Sequence, residues 1–429
     1  MAWLAVAVFT VAYILIATER IHRVTAALGG AVLMLLIGAS GAEEAFFSEE
    51  SGIDWNVIFL LLGMMLIVAV LQRTGVFEFV AIWATKRARG RPFRVMVILV
   101  VVTAAASAIL DNVTTVLLIA PVTLLVCERL AVPAAPFLIA EVLASNIGGT
   151  ATLVGDPPNI IIASRAGLSY NDFLIHLAPI VVVLMVVFVG LCRWLFRAAF
   201  RYDEQRAQAV MVLREGDAIR DRRLLVVSLA VLIVVTAAFV LHTVLHLEPS
   251  VIALVGGLVL LAASRLDAEQ VAKDVEWPTL VFFAGLFVMV GALVNTGVIE
   301  HLATAAAEVT EGKLFLASMV LLWASAVLSA VVDNIPYVAT MSPVVADLVQ
   351  ANGGDQAQVL WWSLALGADL GGNATAVGAS ANVVVLGIAA RSGQPISFWQ
   401  FTKYGLVVAV VTIALSVPYL WLRYFVFGG

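Results

Sequence analysis

Residues 143–159 read LASNIGGTATLVGDPPN, and residues 366–382 read LGADLGGNATAVGASAN. The second stretch follows the first by 223 residues (371 less 148, and 382 less 159). It keeps Gly148-Gly149 as Gly371-Gly372, Thr152 as Thr375, Gly155 as Gly378 and Asn159 as Asn382. Glycine and asparagine in the middle of apolar sequence interrupt a helix, so each stretch is expected to be a broken helix. Outward from these, Asp111-Asn112-Val113-Thr114-Thr115 with Pro121 meets Asp333-Asn334-Ile335-Pro336-Tyr337 with Pro343, 222 residues on (333 less 111). Further out, Asp54-Trp55 … Gly63 … Thr74-Gly75-Val76 … Glu78 recurs as Glu276-Trp277 … Gly285 … Thr296-Gly297-Val298 … Glu300 at the same offset. A shared fold requires only matched hydrophobic periods. Repeated Asp-Asn and Gly-Gly pairs point further, to a doubled binding site, and duplication with interrupted spans is the sequence pointer to a secondary transporter.

The chain is 62% hydrophobic and 12% charged, with mean hydropathy +1.06. That leaves too little polar surface for a soluble globule of 429 residues, and the chain reads as an all-α polytopic membrane protein. Leu224 to Leu241 carries no charge over about the length that crosses a bilayer core. The first apolar run, Ala2 to Ala17, has no basic leader region or cleavage signal and is expected to stay as a helix. Cys127 and Cys192 make no metal or disulfide framework, and the five histidines have no ligand spacing. With no nucleophile–base pair, metal motif or nucleotide loop, the chain is not expected to be an enzyme, and nothing points to a nucleic-acid partner. Any ATP coupling would need a separate ATPase subunit. The ten tryptophans are expected mainly as interfacial anchors.

Apolar periods predict two repeats of five transmembrane helices, residues 1–200 and 223–429, joined by a linker at 201–222. Spans are expected at 3–18, 23–40, 55–72, a broken helix at 134–165, and 173–196. They recur at 223–242, 249–264, 277–294, a broken helix at 358–390, and 402–424. Between the third and the broken helix of each repeat lie two apolar arms split by Asp-Asn, at 95–127 and 314–349. These predict re-entrant hairpins with tips at Asp111-Asn112 and Asp333-Asn334, because polar backbone at that depth is tolerated only inside protein or along a cavity. Gly75–Thr85 and Gly297–Glu308 read as interfacial helices, with a hinge arm as the alternative.

Charges orient the chain. The loop 41–54 carries Glu43, Glu44, Glu49, Glu50 and Asp54 and no base. Residues 73–94 set Arg73, Lys86, Arg87, Arg89, Arg91 and Arg94 against Glu78. Lysine and arginine mark the cytoplasmic side, and the linker, with eight arginines and five acids from Arg193 to Arg223, falls there too. An odd number of crossings inverts the second repeat. Its equivalent of the basic loop, 295–313, accordingly has Glu300, Glu308 and Glu311 against Lys313.

Hairpin tips and broken-helix loops are expected to converge at the bilayer midplane. There, half-helix N-termini suit an anion while carboxylates and carbonyls suit a cation. The candidate ion-binding set is Asp111, Asn112, Thr114, Thr115, Gly148, Gly149, Thr150, Asn159, Asp333, Asn334, Gly371, Gly372, Asn373, Thr375 and Asn382. Asp111 and Asp333 are equally suited to cap the second hairpin arm. Thr114 and Thr115, opposite Pro336 and Tyr337, are equally suited to bond their own helix. Asp156 stands opposite Ala379 and Asp369 opposite Asn146, so each carboxylate occurs in one half only. Both, with Glu141 as a weaker third, are candidates for coupling to Na+ or H+, since an intramembrane charge costs about 2.5–3.5 kcal/mol without a partner. A simple helix cap is the alternative for Asp156. No resident cofactor or metal is expected beyond a coupling ion.

The stretches DNVTTVLLIAPVT (111–123), IAEVLASNIGGTATLVGDPPN (139–159), DNIPYVATMSPV (333–344) and LGGNATAVGASANVV (370–384) resemble the ion transporter superfamily in its arsenite-permease and NhaD-type branch. In motif they are nearest to the melanosomal P protein subgroup and its bacterial relatives. The resemblance implies a homodimeric inverted-repeat carrier in a bacterial-type plasma (inner) membrane, with an elevator-type mechanism. It implies a small inorganic ion as substrate, with arsenite-like oxyanion efflux leading. A sodium/proton antiporter and a passive chloride-type anion channel stay open. Dicarboxylate-transporting relatives carry Ser-Asn-Thr at the tips. Here a carboxylate replaces that serine, which opposes a free dianion unless a cation neutralises it.

Overall fold

The computed structural model describes residues 1–18, 20–48, 51–211, 214–309 and 313–427, and among these the regular structure is helical. Glu49, Glu50 and Glu311, used above to orient the chain, lie outside the described residues. The first half runs α1 (Ala2–Thr18), α2 (Arg23–Leu36), α3 (Ala42–Phe47), α4 (Trp55–Gln72), α5 (Val76–Arg87), α6 (Pro92–Ser107), α7 (Asn112–Leu130), α8 (Ala135–Gly149), α9 (Pro157–Ala166), α10 (Tyr170–His176) and α11 (Ala178–Leu195). The connecting stretch holds α12 (Glu204–Met211). The second half runs α13 (Arg222–Leu245), α14 (Pro249–Ser264), α15 (Ala268–Lys273), α16 (Trp277–Asn295), α17 (Val298–Val309), α18 (Leu314–Val331), α19 (Asn334–Asn352), α20 (Val359–Gly371), α21 (Ser380–Arg391) and α22 (Phe398–Leu420). Helix for helix, α1 to α9 recur as α13 to α21, and α11 recurs as α22. Among the described residues α10 and the connector helix α12 have no counterpart.

Among the described residues α4, α7, α11, α13, α16, α18 and α22 are long and apolar enough to cross a bilayer. Two of the arms expected to be re-entrant, α18 and α7, meet this test by length and composition. α2 stops at Leu36, short of the expected 40, because Gly38 takes a left-handed φ of 71°. The last helix starts at Phe398, where Ser397 caps Gln400 N–H at 3.1 Å, and continues as a π-helix over Trp421–Val426. The short helices α3, α10, α12 and α15 were not expected, since six to eight residues carry too little periodicity to read.

Two crossings set the frame. α4 packs on α14 where a Cβ on Gly63 would lie 2.3 Å from the Ala253 carbonyl carbon, and α16 packs on α2 where a Cβ on Gly285 would lie 2.9 Å from that of Ala27. The hairpins and broken helices form a second group, with α6 on α8 and α18 on α20. The connecting stretch straps the α4–α5 corner. Arg220 N–H donates to Thr74 O at 2.9 Å, and ion pairs join Lys86 to Glu215 and Arg220 to Glu78. Of the ten tryptophans, eight are exposed as interfacial anchors should be. Trp361 and Trp362 are buried, and Trp362 stacks on His176 with centroids 4.7 Å apart, so this pair is core.

Candidate functional site

Each hairpin tip is preset by its own sequence. Asp111 caps α7, accepting from Thr114 N–H at 2.8 Å and from the Thr114 hydroxyl. Asp333 caps α19, accepting from Ile335 N–H at 3.0 Å and from the Ser380 hydroxyl. The broken-helix loops are pinned to the first arms by matched hydroxyls. Thr152 donates to Ala108 O at 2.6 Å and Thr375 to Ala330 O at 2.5 Å, while Ser107 donates to Ser145 O and Ser329 to Ala368 O. The capping alternative is therefore what the two aspartates do, and Thr114 serves Asp111 rather than its own helix.

The two tips meet at Asp156. Asn112 Nδ2 donates to one carboxylate oxygen at 2.9 Å and Asn334 Nδ2 to the other at 3.3 Å. Asp156 occupies the N-cap position of α9 yet makes no cap hydrogen bond, which overturns the simple cap reading. Beside it Asn146 joins the halves: it accepts from Asn112 at 3.1 Å and donates to Asn373 at 2.9 Å and Asn382 at 3.1 Å. Asn159 and Asn382 hold their own loops through the carbonyls of Thr152 (3.0 Å) and of Gly372 and Thr375 (2.8 and 2.9 Å).

Asp369 lies in the same centre, 0% exposed and beside the Thr150 and Asn159 side chains, with neither carboxylate oxygen in a well-formed hydrogen bond. Asn112 Oδ1, Asn159 Oδ1, Asn373 Nδ2 and Thr115 Oγ1 are also buried without one. Buried polar groups are nearly always paired, and a lone buried carboxylate demands a proton or a cation. Thr150 donates to Asn146 O and belongs to the same loop. Among the expected residues only Glu141 stands apart, held between α7 and α8 by the Thr123 hydroxyl.

The glycine pairs do not present bare backbone. A Cβ on Gly148 would lie 2.3 Å from Ala104 O and one on Gly371 2.5 Å from the Ala326 Cα. Gly149 and Gly372 abut the carbonyls of Gly155 and Gly378. They allow the helices to touch on the side where a Cβ would point. Sequence reasoning met Asn146 only as the counterpart of Asp369 and missed Arg23 and Ser380 altogether. Arg23 Nη1 donates to Ser380 Oγ at 2.6 Å and Nη2 to Thr279 Oγ1 at 3.4 Å. Nothing near Arg23 in the sequence signals this contact, made 357 residues away.

Two clefts approach this centre between the two helix groups. One, of about 300 Å³, is lined by Arg23, Phe282, Val331, Asp333 and Ser380 and so reaches a hairpin tip. Its repeat counterpart, of about 640 Å³, is lined by Leu60, Ile160, Ser164, His242 and Ser250 and includes no residue of the Asp111 tip.

Long apolar helices around a buried polar centre, with interrupted helices meeting two helix–helix turns, are the architecture of a membrane transporter rather than an enzyme. The chain belongs to the citrate transporter family, which it matches over residues 13–367. An uncharacterized transporter of Mycobacterium tuberculosis is 58% identical over 429 residues, all of both chains. The P protein of Mus musculus is 34% identical over 503 aligned positions, 99% of this chain and 60% of the P protein, which bears out the motif resemblance to that subgroup. In fold the chain is similar to the Alcanivorax borkumensis YdaH transporter (TM-score 0.62, 16% identity, 92% of this chain and 88% of that one). It is also similar to Neisseria gonorrhoeae MtrF, described among antimetabolite efflux pumps (TM-score 0.60, 11% identity, 92% and 85%). The chain is a multi-pass plasma-membrane protein of bacterial type.

Proposed function

We propose that the chain is a secondary carrier that couples a small anion to Na+ or H+, with Asp369 and Asp156 as the coupling carboxylates. The carrying observation is Asp369, wholly buried beside Thr150 and Asn159 with neither oxygen in a well-formed hydrogen bond. In such a place a carboxylate is stable with a proton or a cation, and emptying it in step with the substrate is what coupling requires. The anion is an arsenite-like oxyanion by motif and a carboxylate by family.

An elevator-type movement is supported by an inequality between the repeats. At the start of α16, Thr279 meets Ser380, the first residue of α21, through Arg23. At the start of α4, Asp54 instead accepts from Ser164, seven residues beyond the first residue of α9. Seven helical residues are roughly 10 Å of rise. In this reading the hairpin group sits displaced along the frame toward the Arg23 side, the cytoplasmic side by the loop charges, and the alternate state exchanges the two registers. Two copies would pair through the frame helices.

The test is transport in proteoliposomes with imposed Na+ or pH gradients. Asp369→Asn should lose gradient-driven accumulation while retaining more of the exchange at equilibrium, which can run with the coupling position permanently neutral. Equal loss in both would assign Asp369 a structural task instead. The cluster of Asp111, Asp156, Asp333 and Asp369 favours a sodium/proton antiporter as the second reading, and cation counterflow with no anion dependence would select it. Flux that never saturates would select a channel.

A further inference from the structure

We propose that the cleft beneath Arg23 is an oxyanion-capture subsite, binding a carboxylate or inorganic oxyanion only in the register seen here. The restriction to one register rests on the elevator reading above; the anion site itself does not.

Arg23 is half-buried, stacks over Phe282 at 5.5 Å and uses its nitrogens on two hydroxyls. It takes part in no ion pair among the described residues. Asp333 lines the same cleft, but its oxygens serve Ile335 N–H and the Ser380 hydroxyl, and Glu276 borders this corner, accepting from Thr279 at 3.3 Å. The Asp333 and Glu276 carboxylates lie near enough to feel its charge but not within ion-pair distance, and its fork of donors matches a planar oxyanion. The cavity of about 300 Å³ at its face has room for one.

A second, independent feature of the same wall agrees. The N-cap of α21 is Ala379, which has no side chain to cap with, and Ser380, the first residue of that helix, lines the cleft. The repeat counterpart is built oppositely. α9 begins with Pro157-Pro158, which have no N–H to offer, behind the carboxylate of Asp156. Chemistry is thereby divided between the halves, cation-seeking at α9 and anion-seeking at α21. The other cleft has no guanidinium at the equivalent place, since α14 begins with Pro249 where α2 begins with Arg23. Because α2 packs in the frame with α16, Arg23 does not travel with the hairpins, and an anion held by it is surrendered when Ser380 moves away.

The test uses purified full-length protein with citrate and inorganic phosphate as probes. At least one should raise the unfolding temperature of the wild type. The shift should shrink in Arg23→Lys, which keeps charge but loses the fork, and vanish in Arg23→Gln. Arg73→Gln, at a guanidinium already paired with Asp274, should respond as wild type. In proteoliposomes Arg23→Gln should raise KM on the Arg23 side about tenfold or more, the equivalent of one charged hydrogen bond, and leave KM on the opposite side unchanged. An equal response of wild type and Arg23→Gln, or no response of the wild type to either probe, overturns the subsite. If Arg23→Gln does not fold, Arg23→Lys and Ser380→Ala carry the same comparison. Asp369→Asn separates the two readings: it should keep the anion-induced shift and lose only gradient-driven transport.

Discussion

Asp156 shows how far a single residue could be read. Its lack of a counterpart in the other half, Ala379, marked it as special, but a carboxylate ahead of Pro-Pro also fits a plain cap, and only the fold brings Asn112 and Asn334 to its two oxygens. The asparagines were legible because both tips keep them. Asn146 was not, because one amide in an apolar helix looks the same whether it faces a neighbour helix or a ligand. We expect Asn112→Ala and Asn334→Ala each to abolish transport while lowering stability by about 1.5–3 kcal/mol, the scale of a hydrogen bond to a charged group. The shorter bond gives Asn112 the larger effect. Thermal unfolding and uptake of the same preparations check this, and full transport by either variant removes that asparagine from the site.

At the scale of helices, the repeated glycine pairs located the breaks, and their packing role became visible only in the fold. A sequence records that no side chain is tolerated at Gly148 and Gly371; it does not record whether backbone or ligand fills the space. Here the backbone of α6 and α18 fills it. Gly148→Ala and Gly371→Ala should therefore disrupt the α6–α8 and α18–α20 contacts, costing about 1–3 kcal/mol by overpacking. Gly190→Ala, with nothing within 4 Å of its Cβ, should be neutral or slightly stabilising. Unfolding temperatures of the three variants are the measurement, and equal temperatures would return the first two glycines to the ligand. The short helices were invisible for a different reason: six to eight residues carry too little periodicity, although α10 has a local capping box of Ser169 and Asp172.

For the whole molecule, the duplication and the membrane class were open to reading from the start, because both are written in patterns longer than any one helix. Contacts between halves, such as Arg23 with Ser380 or His176 with Trp362, were not, as no local pattern pairs residues so far apart. The inverted orientation remains an inference from loop charge. With Cys127 and Cys192 replaced, single cysteines at Gly90 and Glu308 should react with an impermeant maleimide from opposite faces of oriented vesicles. Labelling of both from one face would refute the inversion.

The strap of the connecting stretch across the α4–α5 corner exists once, because the chain has one connector between two repeats. Its polar ties to Thr74, Glu78 and Lys86 load α5, and the Lys86 ammonium holds the Glu215 carboxyl below its usual range. The matching arm α17 has no such connector. If both hairpins ride on these arms, they ride on springs of unequal stiffness, so the forward and return strokes differ in rate even with identical binding sites. Kinetic rectification would then belong to a loop that touches no ion, and it would soften as salt screens the strap.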